Sequence, residues 1–162
     1  TPLSLAKAVE ISAVITLLAD KYKVNVIRTG LNTDEHLAEE VVAGPYHPAF
    51  GHLVKSYIWR EKLLWALEDF LRRQTAEELL AVFAAKSKLP MVFGQNSANR
   101  LYYEAKLPNQ KLKIKSFNSN IYSEENNIIL LDKAEKKHIY ADKDFNREFL
   151  SKVLSSLYGT CC

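Results

Sequence analysis

The sequence predicts an α+β protein in two parts, residues 1–74 and residues 75–162, and three observations predict it. A helical stretch runs directly into a β-like alternation that ends at Gly30. A long amphipathic run then fills residues 51–73. Beyond it, short strand and helix signals alternate to the end of the chain, separated by polar or proline-containing breaks.

Ser4 is placed to cap a helix that continues to about residue 22, because its side-chain oxygen can accept one of the orphan amide protons of the first turn. Val9, Ile11, Val14, Ile15, Leu17 and Leu18 cover more than a narrow stripe, so burial of most of this helix is expected. Val24-Asn25-Val26-Ile27-Arg28-Thr29 reads as a strand stopped by Gly30. Residues 34–42 read as a short acidic helix or an ordered loop. In the 51–73 run, Leu53, Val54, Tyr57, Ile58, Leu64, Trp65, Leu67, Phe70 and Leu71 recur at helical spacing, and Arg72 and Arg73 suit a helix C-terminus.

The second part reads strand or helix, with strand favoured (79–84), short helical turn (90–93), turn (94–97), helix (98–106), strand (111–117), strand (128–131) and a final helix from Asp142 or Asp144 to about residue 158. Lys111, Lys113 and Lys115 alternate with Leu112 and Ile114, the pattern of a half-buried strand with one basic face. Phe145, Phe149, Leu150, Val153, Leu154 and Leu157 form the inward side of the last helix.

Composition excludes several classes. The hydrophobic fraction is 48% and the charged fraction 25%, values of an ordinary globular chain. No apolar run approaches the roughly 20 residues of a membrane span. Thr1-Pro2-Leu3 has neither the basic start nor the cleavage site of a signal peptide, and the missing initiator methionine suggests an excised piece of a longer chain. The only cysteines, Cys161 and Cys162, are adjacent, so they supply neither a disulfide framework nor a metal-ligand pattern; a reduced, cytoplasmic tail is expected. The net charge of +3 is uneven, with seven basic against three acidic groups in residues 75–117. That excess points weakly toward anionic partners.

The candidate sites begin with Gly44-Pro45-Tyr46-His47-Pro48-Ala49-Phe50-Gly51-His52, a loop whose prolines and glycines hold imidazole and phenol groups in one shape. Two readings stand: Tyr46 and His47 contact a substrate or cofactor, or His47 bonds to the backbone and Tyr46 packs as a lid. His52 is close in sequence to His47, but no third ligand accompanies them and no metal is expected. His36 and His138 have no partner visible in the sequence. Arg28 either holds a carboxylate or phosphate or pairs with Asp34 or Glu35. Neither a nucleophile elbow nor a complete phosphate-binding loop is present.

Three stretches carry a resemblance: Pro2-Leu3-Ser4-Leu5 with Ala8-Val9-Glu10, Asn25-Val26-Ile27-Arg28-Thr29-Gly30-Leu31, and Val42-Ala43-Gly44-Pro45-Tyr46-His47-Pro48-Ala49-Phe50-Gly51 followed by Leu53-Val54-Lys55-Ser56. In this order they resemble the late-barrel region of radical S-adenosylmethionine proteins of the oxygen-independent coproporphyrinogen III oxidase-like and Elongator catalytic subunit-like kind. The resemblance covers roughly residues 2–72. It implies a barrel-edge helix and strand plus a long connecting helix, with Arg28, Tyr46 and His47 as substrate or cofactor contacts. It also implies a four-iron, four-sulfur cluster and S-adenosylmethionine in the parent enzyme. The Cys-x3-Cys-x2-Cys motif that holds such a cluster is missing here, so this chain alone is expected to hold no cofactor and to be inactive, with the missing N-terminal barrel half as its partner.

The second part, with Val92-Phe93-Gly94-Gln95-Asn96-Ser97-Ala98-Asn99 at its helix–helix turn, resembles a KH-type RNA-binding domain of order β-α-α-β-β-α. That family clamps nucleic-acid backbone with a GXXG loop. Here Ser97 replaces the second glycine, and Arg100 stands where an apolar residue is expected. The implied contacts are Lys88, Gly94, Gln95, Asn96 and Arg100, supported by Lys86, Lys106, Lys111, Lys113 and Lys115; the alternative is a solvated basic face. A third reading is a packing or dimerisation module, in which the apolar face around Trp59, Trp65 and Phe70 lacks its cover and drives self-association.

Overall fold

The computed structural model describes residues 2–31, 41, 43–73, 79–108, 112–117 and 126–158. The α+β class is observed. Helix α1 (Leu5–Lys21) begins at Ser4, whose Oγ accepts the Lys7 amide proton at 3.2 Å. It ends where Lys23 turns to φ 56° and the Val24 amide closes on the Ala19 carbonyl at 2.8 Å.

The strand expected at 24–29 is not formed. Val24 to Arg28 run as exposed chain, and no described strand pairs with them. Alternation of apolar residues makes a segment suitable for a sheet, but a strand exists only when a neighbour satisfies its backbone. The short helix or loop expected over 34–42 lies outside the described residues except for Val41, and so does the boundary expected at residue 74.

Helix α2 (Phe50–Arg73) is the spine of the fold. Its first half packs Val54, Leu53 and Tyr57 against Val9 and Ala13 of α1. Its second half buries Trp59, Leu63, Ala66, Leu67 and Phe70 against the sheet. The apolar face expected to lack a cover is therefore covered, and Trp59 keeps 6% and Phe70 1% of their surface.

The chain continues through β1 (Leu79–Ala85), a tight 3-10 turn, α3 (Leu89–Phe93), a second tight turn, α4 (Ala98–Lys106), β2 (Ile114–Phe117), β3 (Ile128–Asp132), β4 (Lys137–Tyr140) and α5 (Asp142–Tyr158). The sheet order is β2-β1-β3-β4. β1 and β2 are parallel, with Val82 beside Ile114, because α3 and α4 form the crossover between them. β3 lies antiparallel to both β1 and β4, and β4 was not expected from the sequence. Val82, Ala84, Ile128, Leu130 and Tyr140 meet α2 and Tyr103 in the main core.

α5 docks through Phe145 and Leu150 onto Leu17 of α1 and near Trp65 of α2. A buried lysine ties this junction. Lys62 is 1% exposed, its Nζ donates to Asp142 Oδ1 at 2.5 Å and to the Asn126 carbonyl, and it lies 4.6 Å from the Trp59 ring centroid. Such a charge is tolerable in the interior because it is paired and hydrogen-bonded.

Candidate functional site

The proline-rich loop is organised by its own backbone. Gly44 takes φ 111°, a left-handed value that favours glycine, and the Tyr46 amide reaches back to the Gly44 carbonyl at 3.0 Å. His47 Nδ1 accepts the Ala49 amide proton at 3.0 Å, and its carbonyl accepts the Phe50 amide proton at the start of α2. The imidazole thus terminates one free donor at the entry to the helix. Tyr46 and His47 are both half-buried.

Thr29 and Gly30 press against this helix start. A Cβ on Gly51 would lie 3.0 Å from the Thr29 carbonyl oxygen, and one on Gly30 would lie 3.0 Å from Phe50 Cβ. The turn that follows Arg28 is thereby fixed beside the loop carrying His47. Arg28 itself is exposed, and its expected partners Asp34 and Glu35 lie outside the described residues. His52 faces Ser56, with Nδ1 3.4 Å from Oγ, rather than joining His47 in a donor set. His138 has a partner after all: its Nε2 lies 2.9 Å from Oδ2 of the fully buried Asp132.

The turn between α3 and α4 is the second candidate. Gly94 has φ 73° and ψ 170°, and Asn96 and Ser97 both adopt left-handed conformations, with φ 51° and 60°. Gly94 donates its amide proton to the Pro90 carbonyl at 3.0 Å. Below the turn, Asn99 is buried and its Nδ2 donates to the carbonyls of Ser56 and Met91, both at 2.9 Å. Asn99 therefore fastens the turn to α2. Gln95, Asn96 and Ser97 remain exposed on top.

Two depressions flank this turn. The smaller, about 320 Å³, runs between α4 and the β2 edge and is lined by Phe93, Arg100, Glu104, Lys113 and Lys115 among others. Arg100 is exposed, with Nε 3.0 Å from Glu104 Oε1, and Lys113 and Lys115 are exposed beside it. Lys88 is half-buried at the end of the first tight turn and does not line either depression.

The larger, about 890 Å³, lies between the start of α1, the first half of α2 and the Gly94 turn. Its wall carries a cluster that the sequence did not announce. The Arg60 guanidinium lies over the rings of both Tyr57 and Tyr102, 4.5 and 4.4 Å from their centroids. Glu61 Oε1 fixes it through Nε at 3.0 Å and Nη2 at 2.8 Å. Burial pushes the Tyr57 hydroxyl pKa up, and the Glu61 and Glu10 carboxylates add to the shift. Tyr57 and Arg60 are three apart on α2, a spacing that puts them on one face, but Tyr102 comes from a distant element and only the fold adds it.

Among the described residues no group of three or more His, Cys, Asp or Glu side chains converges to hold a metal ion. A cubane cluster needs a trio of thiolates, and the sequence contains two cysteines, Cys161 and Cys162, both outside the described residues. The donor set of this chain does not fit the cluster. Among the described residues, no helix is long and apolar enough to cross a membrane. Comparison with protein-family models, with curated proteins and with solved structures finds no match.

Proposed function

We propose that this chain acts as the non-catalytic C-terminal region of a radical S-adenosylmethionine oxidoreductase, closing the edge of a barrel and positioning substrate or docking a macromolecule. The observation that carries this reading is an uncovered apolar edge. Ile27 is 99% exposed, Val24 61% and Ile15 of the neighbouring helix 58%. Isolated exposed apolar residues need no explanation, but a segment of strand-like alternation with no strand beside it among the described residues, next to an apolar helix face, is a surface suited to a neighbour. The Thr29–Gly30 turn, packed against α2, would place that edge beside the His47 loop. Arg28, Tyr46 and His47 then stand at the rim, where they contribute binding and orientation while the redox chemistry belongs to the partner half.

The test mixes the chain with the cluster-bearing barrel half of such a protein and follows sedimentation. A complex that Ile27→Asp abolishes supports the reading. Absence of a complex at tens of micromolar, or a complex indifferent to Ile27→Asp, contradicts it. A homodimer of the chain alone that Ile27→Asp dissolves would favour self-association in its place.

A second reading is favoured by the groove along β2. Residues 75–162 are read as a KH-like module, its strand and helix order extended by β4. Arg100, Lys113 and Lys115 gather on one groove next to a turn whose backbone is exposed. Such cations neutralise phosphates and give binding that weakens steeply with salt. Single-stranded RNA is the ligand this reading predicts. Retention of an oligonucleotide at low salt, reduced by Arg100→Glu, supports it; absence of binding at low salt removes it.

A further inference from the structure

Resting on the RNA reading, we infer that the 890 Å³ cleft on the far side of the Gly94 turn is a second subsite, which takes one unstacked base of the same strand. The two depressions share the turn region between them: Gly94, Gln95 and Asn96 line the large cleft, whereas Phe93 and Arg100 line the small groove. A strand whose phosphates follow the basic groove crosses the exposed turn and enters the cleft.

The chemistry of the cleft selects a base rather than a phosphate. Its two cations are balanced by two carboxylates, Lys7 beside Glu10 at 2.9 Å and Arg60 beside Glu61 at 2.8 Å, whereas the small groove sets Arg100, Lys113 and Lys115 against Glu104 alone. A phosphate in the cleft would meet no excess of positive charge. A flat, neutral ring needs none. The Tyr57 and Tyr102 rings and the Arg60 guanidinium beside both of them line the cleft, and bases of any identity stack on such groups. Glu61 holds the guanidinium before the ligand arrives, so little side-chain freedom is lost on binding. Exposed Gln95 and Asn96 at the rim supply amide donors and acceptors for a base edge.

The test uses the 162-residue chain and two single-stranded oligoadenylates, about four and about eight nucleotides long, the shorter sized to fill the groove alone. Fluorescence anisotropy at low salt gives affinity, and 2-aminopurine placed at successive positions of the longer RNA reports stacking. The inference predicts tighter binding of the longer RNA and quenching at one position. Tyr102→Leu should weaken the longer RNA about tenfold, abolish that quenching and spare the shorter RNA, and Tyr102→Phe should restore both. If Tyr102→Leu disturbs folding by circular dichroism, Tyr57→Leu replaces it with the same expectation. Binding of both RNAs that Arg100→Glu weakens and Tyr102→Leu does not would overturn the subsite and leave the groove reading standing. Binding of neither RNA would remove both.

Discussion

A side chain at position 94 would collide with Asn99: an ideal Cβ on Gly94 lies 2.8 Å from Asn99 Cγ and 3.1 Å from the Asn99 backbone nitrogen. Asn99 cannot withdraw, because its amide group is held by the carbonyls of Ser56 and Met91. Glycine is therefore required twice, for its φ of 73° and for the space. Gly94→Ala is expected to lower stability by about 1–3 kcal/mol, measured as a shift of the urea midpoint. Asn99→Ala should cost a similar amount, because the buried Ser56 carbonyl and the part-buried Met91 carbonyl both lose a donor.

The Lys62–Asp142 pair gives an asymmetric expectation. Asp142→Ala removes one carboxylate from beside a lysine that is 1% exposed and should destabilise by about 3 kcal/mol. Lys62→Met removes the buried charge itself and leaves Asp142, 34% exposed, access to water, so its effect should be much smaller. Equal losses in the two variants, by chemical denaturation, would contradict this account of the junction.

Asp69 links α2 to β4 electrostatically. Burial acts to raise its carboxyl pKa, but hydrogen bonds from Arg72 and Arg73, with a smaller one from the Tyr140 hydroxyl, outweigh burial and hold it below its ordinary value of 3.8. The folded-state pKa is depressed, so this group stabilises above that ordinary value and the contribution is lost as pH falls through the folded pKa. Denaturation profiles should therefore lose less stability on acidification in Asp69→Asn than in the native chain. The same carboxylate, after burial, helps push the Tyr140 hydroxyl up to about 12.

His47 separates a structural loop from a ligand-binding one. Its Nδ1 accepts the Ala49 amide proton, so His47→Ala is expected to cost about 1 kcal/mol, while His47→Asn, which keeps an acceptor, should recover part of it. A fully neutral His47→Ala in thermal denaturation would leave the histidine without this backbone role.

The parts of the fold that depend on local periodicity were legible. Ser4 caps its helix, α2 follows the spacing of Leu53 to Phe70, and α5 starts at Asp142. The failures are those in which a distant neighbour decides. Val24 to Thr29 alternate like a strand yet find no described partner, and β4, with only Ile139 and Tyr140 apolar, becomes a strand because β3 lies beside it. The partner of His138 arrives through the same hairpin, since Asp132 sits six residues earlier on β3. At the site, the turn at Gly94 was legible from its glycine and flanking helices. The stacking of Arg60 on Tyr102 was not, because it requires α4 to pack across α2.

We propose that Val24–Thr29 is an edge that pairs with a barrel partner. Hydrogen–deuterium exchange at the amides of Val24, Asn25, Val26, Ile27 and Arg28 tests it most directly, with and without the cluster-bearing barrel half. The account predicts fast exchange in the chain alone and strong protection in the mixture, lost again in Ile27→Asp. Exchange that stays equally fast in the mixture, with protection appearing elsewhere or nowhere, would contradict it.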